Sequence, residues 1–166
     1  MADEAPVVRV EAVRAVAEMD AEEAALVLRL KARLGDREPS VIGQVFDSLL
    51  QLERDAALPL VAGFLESADE AMSQEAALAL GSSRMAGAVE ILLKAPPGAR
   101  HAYFRKTILR ALSASRQERA MEFLLALVRD GIRADADGAV EALELHRDSP
   151  EIRAAMEAAM KDRAKR

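Results

Sequence analysis

Two stretches of this chain, 75–93 (EAALALGSSRMAGAVEILL) and 107–125 (TILRALSASRQERAMEFLL), place apolar residues at nearly the same positions. A column drawn through Leu80 and Leu112 continues to Leu52 and Leu143, at separations of 28, 32 and 31 residues. Three positions earlier stand Leu49, Ala77, Leu109 and Val140; nine later, Val61, Val89, Met121 and Ile152; thirteen later, Leu65, Leu93, Leu125 and Met156. Every position in these columns is apolar. Spacings of three and four put such residues on one face of an α-helix, so each unit of about thirty residues predicts a pair of helices. A lone pair cannot bury its apolar stripe, and ordering its backbone costs about 1–2 kcal/mol per residue. Stacking copies buries each stripe on the next, returning about 1.5–3 kcal/mol per buried Leu or Val.

Punctuation between the columns agrees with this scheme. Gly81 suits a left-handed position at a helix exit, and SRQE at 115–118 has the form of a capping box. Ser149 and Pro150 supply an N-cap and a first helical residue. A further pair precedes the four, with DAEE at 20–23 opening a helix that ends at Gly35. The expected helices span 7–18 and 21–34, 39–52 and 56–66, 70–80 and 85–95, 100–113 and 116–130, and 136–146 and 150–164. They form a single solenoid domain over 1–166, with the best-defined repeats at 38–166 and 1–6 as a disordered tail. Pro59 falls among the first residues of its helix, where a missing donor is harmless. Gly63 marks either a close approach or a tolerated cost. APPGAR at 95–100 separates an acidic half (17 acidic and 9 basic residues in 1–95) from a basic one (11 and 14).

Composition points the same way. Aromatic residues make up 3% of the chain, whereas Ala, Leu, Glu and Arg, the strong helix formers, dominate. Cysteine is absent, which excludes disulfides, thiol nucleophiles and Cys-ligated metals. No signal-peptide core and no apolar run of about 18 residues occurs, so the expectation is a cytoplasmic protein.

The stretch EAALALGSSRMAGAVEILL and its echo SLLQLERDAALPLVAGFL at 48–65 resemble the HEAT repeat, an armadillo-like family, in the bacterial variety found in phycobiliprotein lyases. The resemblance implies an all-α fold, a right-handed α-α superhelix (HEAT-like solenoid) of about five helical hairpins, whose second helices line a concave surface. The role it implies is a non-enzymatic scaffold binding a protein partner there. An enzyme on the same scaffold, resembling a bilin lyase or a DNA glycosylase, is the alternative.

No P-loop, dinucleotide-binding glycine pattern, HExxH or nucleophile elbow is present, and no catalytic, cofactor or metal residue is expected. His101 and His146 lack ligand partners three or four residues away and are expected on exposed helix faces. Two features carry charge chemistry. Four residues after the reference leucines come Arg84, Arg116 and Arg147, with Ala56 breaking the series. Lined up one repeat apart, these guanidinium groups either bind a carboxylate-rich partner or close their own turns. The second feature is the basic segment 100–119, containing Arg105 and Arg110 beside Tyr103 and Phe104. It could grip nucleic acid, although a sequence pI near 5.2 and the absence of Trp argue against that.

Overall fold

A computed structural model describes residues 3–19, 21–95 and 102–165. Among them are ten α-helices and no strand. They are α1 (Pro6–Ala17), α2 (Ala21–Leu34), α3 (Pro39–Glu53), α4 (Leu58–Gly63), α5 (Glu70–Ser82), α6 (Ala86–Lys94), α7 (Ala102–Ser115), α8 (Glu118–Asp130), α9 (Arg133–Leu143) and α10 (Pro150–Ala164). Helix α1 begins at Pro6, inside the stretch expected as tail, and Arg9 Nη1 donates to the carbonyls of Asp3 and Glu4. The expected boundary loop at 95–100 lies almost wholly outside the described residues.

The helices form five hairpins in a row. The first helices stack α1 on α3, α3 on α5, α5 on α7 and α7 on α9, while α4, α6, α8 and α10 make the second row. One continuous core runs through the stack, built from Val13 and Leu28 at one end to Leu143 and Ala159 at the other. Local chemistry sets the helix ends. Asp69 caps α5 by accepting from the amides of Ala71 and Met72, Ser149 caps α10 through Ile152, and Gly35 leaves α2 at φ +74°.

The packed column differs from the expected one by two residues in its first member. Leu50, Leu80, Leu112 and Leu143 are each 0–2% exposed, whereas Leu52 is only partly buried. Their spacings are 30, 32 and 31 residues. The excess is taken up by an extra 3₁₀ turn, Arg54–Ala57, after which Pro59 sits early in α4 and Val61 returns to the core.

Two local expectations are corrected, and the two readings of Gly63 are decided in favour of a tolerated cost. Gly81 is not a left-handed exit residue. It lies inside α5, and a Cβ built on it would stand 2.3 Å from the carbonyl oxygen of Ala111 in α7. Its role is to let two helix backbones touch. The capping box at 115–118 does not form, because α7 runs on through Ser115. That hydroxyl donates to the Leu112 carbonyl at 2.6 Å and accepts from the Gln117 amide, as Ser83 does with Leu80 and Met85 one repeat earlier. Gly63 approaches nothing: a Cβ there would meet no atom within 4 Å.

Candidate functional site

The turns between first and second helices carry the most repetitive chemistry in the molecule. Arg84, Arg116 and Arg147 lie at equivalent turn positions, each amide closing its turn onto a carbonyl three residues back, Gly81, Ser113 and Glu144. Arg54 joins them once the column is drawn through Leu50. All four side chains are exposed, and none has a carboxylate partner among the described residues. Backbone geometry marks three of the four, Arg147 keeping the ordinary φ of −53°. Arg54, Arg84 and Arg116 have φ of +52°, +55° and +55°, and among the described residues no other non-glycine has positive φ. An L-residue pays about 1–2 kcal/mol in this region, where glycine is at ease.

Neighbouring side chains stitch this edge from repeat to repeat. Ser82 Oγ donates to Asp47 Oδ1 at 3.0 Å, Gln117 Nε2 donates to the Arg84 carbonyl at 2.8 Å, and Ser113 Oγ donates to the Ala142 carbonyl at 2.6 Å. His146, expected to be solvent-exposed, is instead half-buried, its Nε2 lying 2.9 Å from the Ser113 carbonyl; His101 lies outside the described residues. Between the first two arginine turns, Asp47, Gln51, Arg54, Ser82 and Ser83 line a cleft of about 290 Å³.

The basic segment is differently placed. Arg105 pairs with Asp135, which is 6% exposed and whose Oδ1 has no hydrogen bond among the described residues. Lys106 pairs with Glu141 at 2.7 Å and Arg119 with Glu90 at 2.8 Å. The Lys106 bond, aided by the field of Arg110, holds the Glu141 carboxyl below its usual range. Phe104 is buried in the core, leaving Tyr103 as the exposed aromatic. These bases therefore serve largely as links to neighbouring repeats, Arg105 and Lys106 to the following one and Arg119 to the preceding one, with Arg110 left exposed beside them.

One pair escaped the sequence reading. Asp47 on α3 and Glu75 on α5 are both half-buried, and Glu75 occupies the space above Gly43, where a Cβ would stand 2.2 Å from its Oε2. Burial raises the Asp47 carboxyl, against the Ser82 bond; burial and then the charge of Asp47 raise Glu75. A raised folded value means that ionised Glu75 opposes folding. The opposition is absent below the ordinary glutamate value of about 4.3 and grows as pH rises through the folded one. Glu75→Gln is expected to raise the thermal midpoint at pH 7 by about 1–3 °C, with the gain gone in acid. Calorimetry at both pH values checks this, and a gain that persisted in acid would point to packing instead of charge. Among the described residues no three His, Asp or Glu side chains gather as a metal site, and no helix is long and apolar enough to cross a membrane.

The fold thus defines an all-helical repeat protein, its repeated feature a row of turns. The profile of the family described as HEAT repeats matches residues 59–144, just over half of the chain, and the chain belongs to that family. Compared with curated proteins, it matches none.

Proposed function

We propose that this chain is a non-enzymatic protein-interaction module that receives a protein partner on the concave face lined by its second helices, with the turns of Arg54, Arg84, Arg116 and Arg147 as a binding rim for acidic side chains. HEAT repeats are typically interaction scaffolds, which is the family context of this reading. The observation that carries it is the strained backbone. Three consecutive turns place arginine where glycine would be more comfortable, and strain of this kind is kept where a side chain is needed. Guanidinium groups free of internal carboxylates are suited to forked recognition of a partner's carboxylates. Commitment of Arg105, Lys106 and Arg119 to intramolecular pairs favours a protein partner over nucleic acid. The likeness to lyase repeats adds no activity to this reading.

The test separates recognition from turn closure by the sign of its two readouts. In the double variant Arg84→Gly with Arg116→Gly, stability holds or rises by about 1 kcal/mol. Affinity for a fluorescent hexaglutamate peptide at low salt falls about tenfold, or 1.4 kcal/mol. Unchanged peptide binding removes the rim, and a loss of stability assigns the arginines to closing their turns.

A further inference from the structure

The contact between α3 and α5 differs in charge from those that follow it. Counted from the buried leucines, Asp47 stands three residues before Leu50 and Glu75 five before Leu80. Between α5 and α7 the same positions hold Ala77 and Thr107, and between α7 and α9 they hold Leu109 and Gly138, where the leucine side chain lies against the glycine. Thr107 spends its hydroxyl on the Tyr103 carbonyl. Two carboxylates therefore meet at the first contact, where the others are uncharged. Both are half-buried. Glu75 is held over Gly43 of α3, where a Cβ would leave it no room, and Asp47 accepts from Ser82 Oγ at 3.0 Å. Among the described residues neither has a cationic partner.

The charges of the surrounding elements are engaged elsewhere or lie in solvent. On α1, Arg14 pairs with Glu11 and donates to Gln44, while Arg9 is held by Asp36. On α2, Arg29 goes to Glu53 and Lys31 to Asp36. On α7, Arg105 and Lys106 are drawn to Asp135 and Glu141. Helix α4 carries no charged side chain, Glu66 in the 3₁₀ turn after it is exposed, and Glu90 of α6 pairs with Arg119. The cation that shares the surroundings of Asp47 is Arg54, which lines the same cleft of about 290 Å³ without a salt bridge to it. Ser82 and Ser83, from the other wall, lead directly into the Arg84 turn. Half-buried carboxylates in contact oppose each other's ionisation, because each loses water and each feels the other's charge. Taking the arginine turns as a binding rim, we infer that Asp47 and Glu75 form a proton-operated control on it: ionised, the pair repels an acidic partner from the cleft between Arg54 and Arg84, and uptake of a proton lifts that repulsion. Burial raises both carboxyls, and the charge of Asp47 raises Glu75 further. Affinity for an acidic ligand is thus lowest above the folded values and rises as pH falls through them. The ligand's own glutamates stay largely ionised until their ordinary value of about 4.3. By linkage, the bound ligand in turn draws a proton onto the pair.

Binding of the fluorescent hexaglutamate peptide to the full chain at low salt, followed from about pH 7.5 to about pH 5, tests the inference. Asp47→Asn keeps an oxygen to accept from Ser82 and removes the charge. At about pH 7.5 it should bind the peptide about threefold more tightly than wild type, the repulsion of two unit charges about 7 Å apart in a water-like medium. The difference should close toward about pH 5 as the wild type takes up its proton. Titration of the peptide itself is common to both proteins and cancels in their ratio. Glu75→Gln should keep the closure but move it to lower pH, because Asp47 loses the neighbour that opposes its ionisation. Three results overturn the inference: equal affinities of wild type and Asp47→Asn at about pH 7.5, a difference that does not change with pH, or a closure that Glu75→Gln leaves in place. The double variant Arg84→Gly with Arg116→Gly reports on the rim alone. Peptide binding unchanged in that variant removes the rim. A tenfold loss there, together with identical pH profiles of wild type and Asp47→Asn, removes the proton control and leaves the rim standing.

Discussion

Gly81→Ala is expected to cost about 2–3 kcal/mol, although alanine is the better helix former by about 1 kcal/mol. The added methyl would lie 2.3 Å from the Ala111 oxygen and 2.7 Å from its carbonyl carbon and Cα. These are backbone atoms of a fully buried residue in α7, so no rotamer change relieves the clash. Helices α5 and α7 would have to separate, opening contacts around Leu80 and Leu112, both fully buried. Gly63→Ala is the matched control: its Cβ meets nothing, and it should gain up to about 1 kcal/mol. Urea unfolding of the two variants beside the wild type checks the opposite signs. Equal stability of Gly81→Ala and wild type would mean that α5 and α7 can move apart at no cost.

Asp36→Ala should cost about 3 kcal/mol. Its side chain is 5% exposed and accepts from Arg9 Nη2 and Lys31 Nζ, each at 2.7 Å, and from the Glu38 amide at 3.0 Å. It thereby ties α1, the end of α2 and the start of α3 together. Burial on its own would raise the carboxyl. The bonds from Arg9, Lys31 and the Glu38 amide outweigh it and hold the group well below the usual aspartate range. A depressed folded value gives stability that is complete above the unfolded value of about 3.9 and is lost as pH falls through the folded one. The wild-type advantage over Asp36→Ala is thus largest near neutrality and shrinks in strong acid. Denaturant midpoints at pH 7 and about pH 3 measure it; a variant as stable as wild type at pH 7 would show that the network contributes nothing.

Helix pairs were legible in the sequence because apolar spacing of three and four, Ser149 before Pro150, and Gly35 after Leu34 are all local signals. The first register was not, since Leu50 and Leu52 are both apolar and only burial separates them. Drawn through Leu50, the pattern Leu-x-x-x-Arg occurs at every one of the four turns, so Arg54 was readable in principle. Gly81 misled for a different reason. A glycine near a helix exit has the same local signature whether it turns the chain or admits a neighbour, and the neighbour, Ala111, is thirty residues away. Of the candidate site residues, Arg84, Arg116 and Arg147 come to equivalent turns, while Arg105 is drawn into a pair with Asp135 that no local spacing announces. The Asp47–Glu75 pair was invisible likewise, because stacking alone brings α3 and α5 together.

The arginine turns also impose a metric. Stacked helices lie about 9 Å apart, so each repeat advances the guanidinium by about that step. An extended chain in the polyproline II conformation climbs about 3.1 Å per residue and returns to the same face every third residue, or about 9.3 Å. The periods of the two chains nearly coincide. A ligand lying across the repeats in that conformation would keep register with them by carrying Asp or Glu at every third position, and a ligand with acids at every second or fourth would drift out of step within a few repeats.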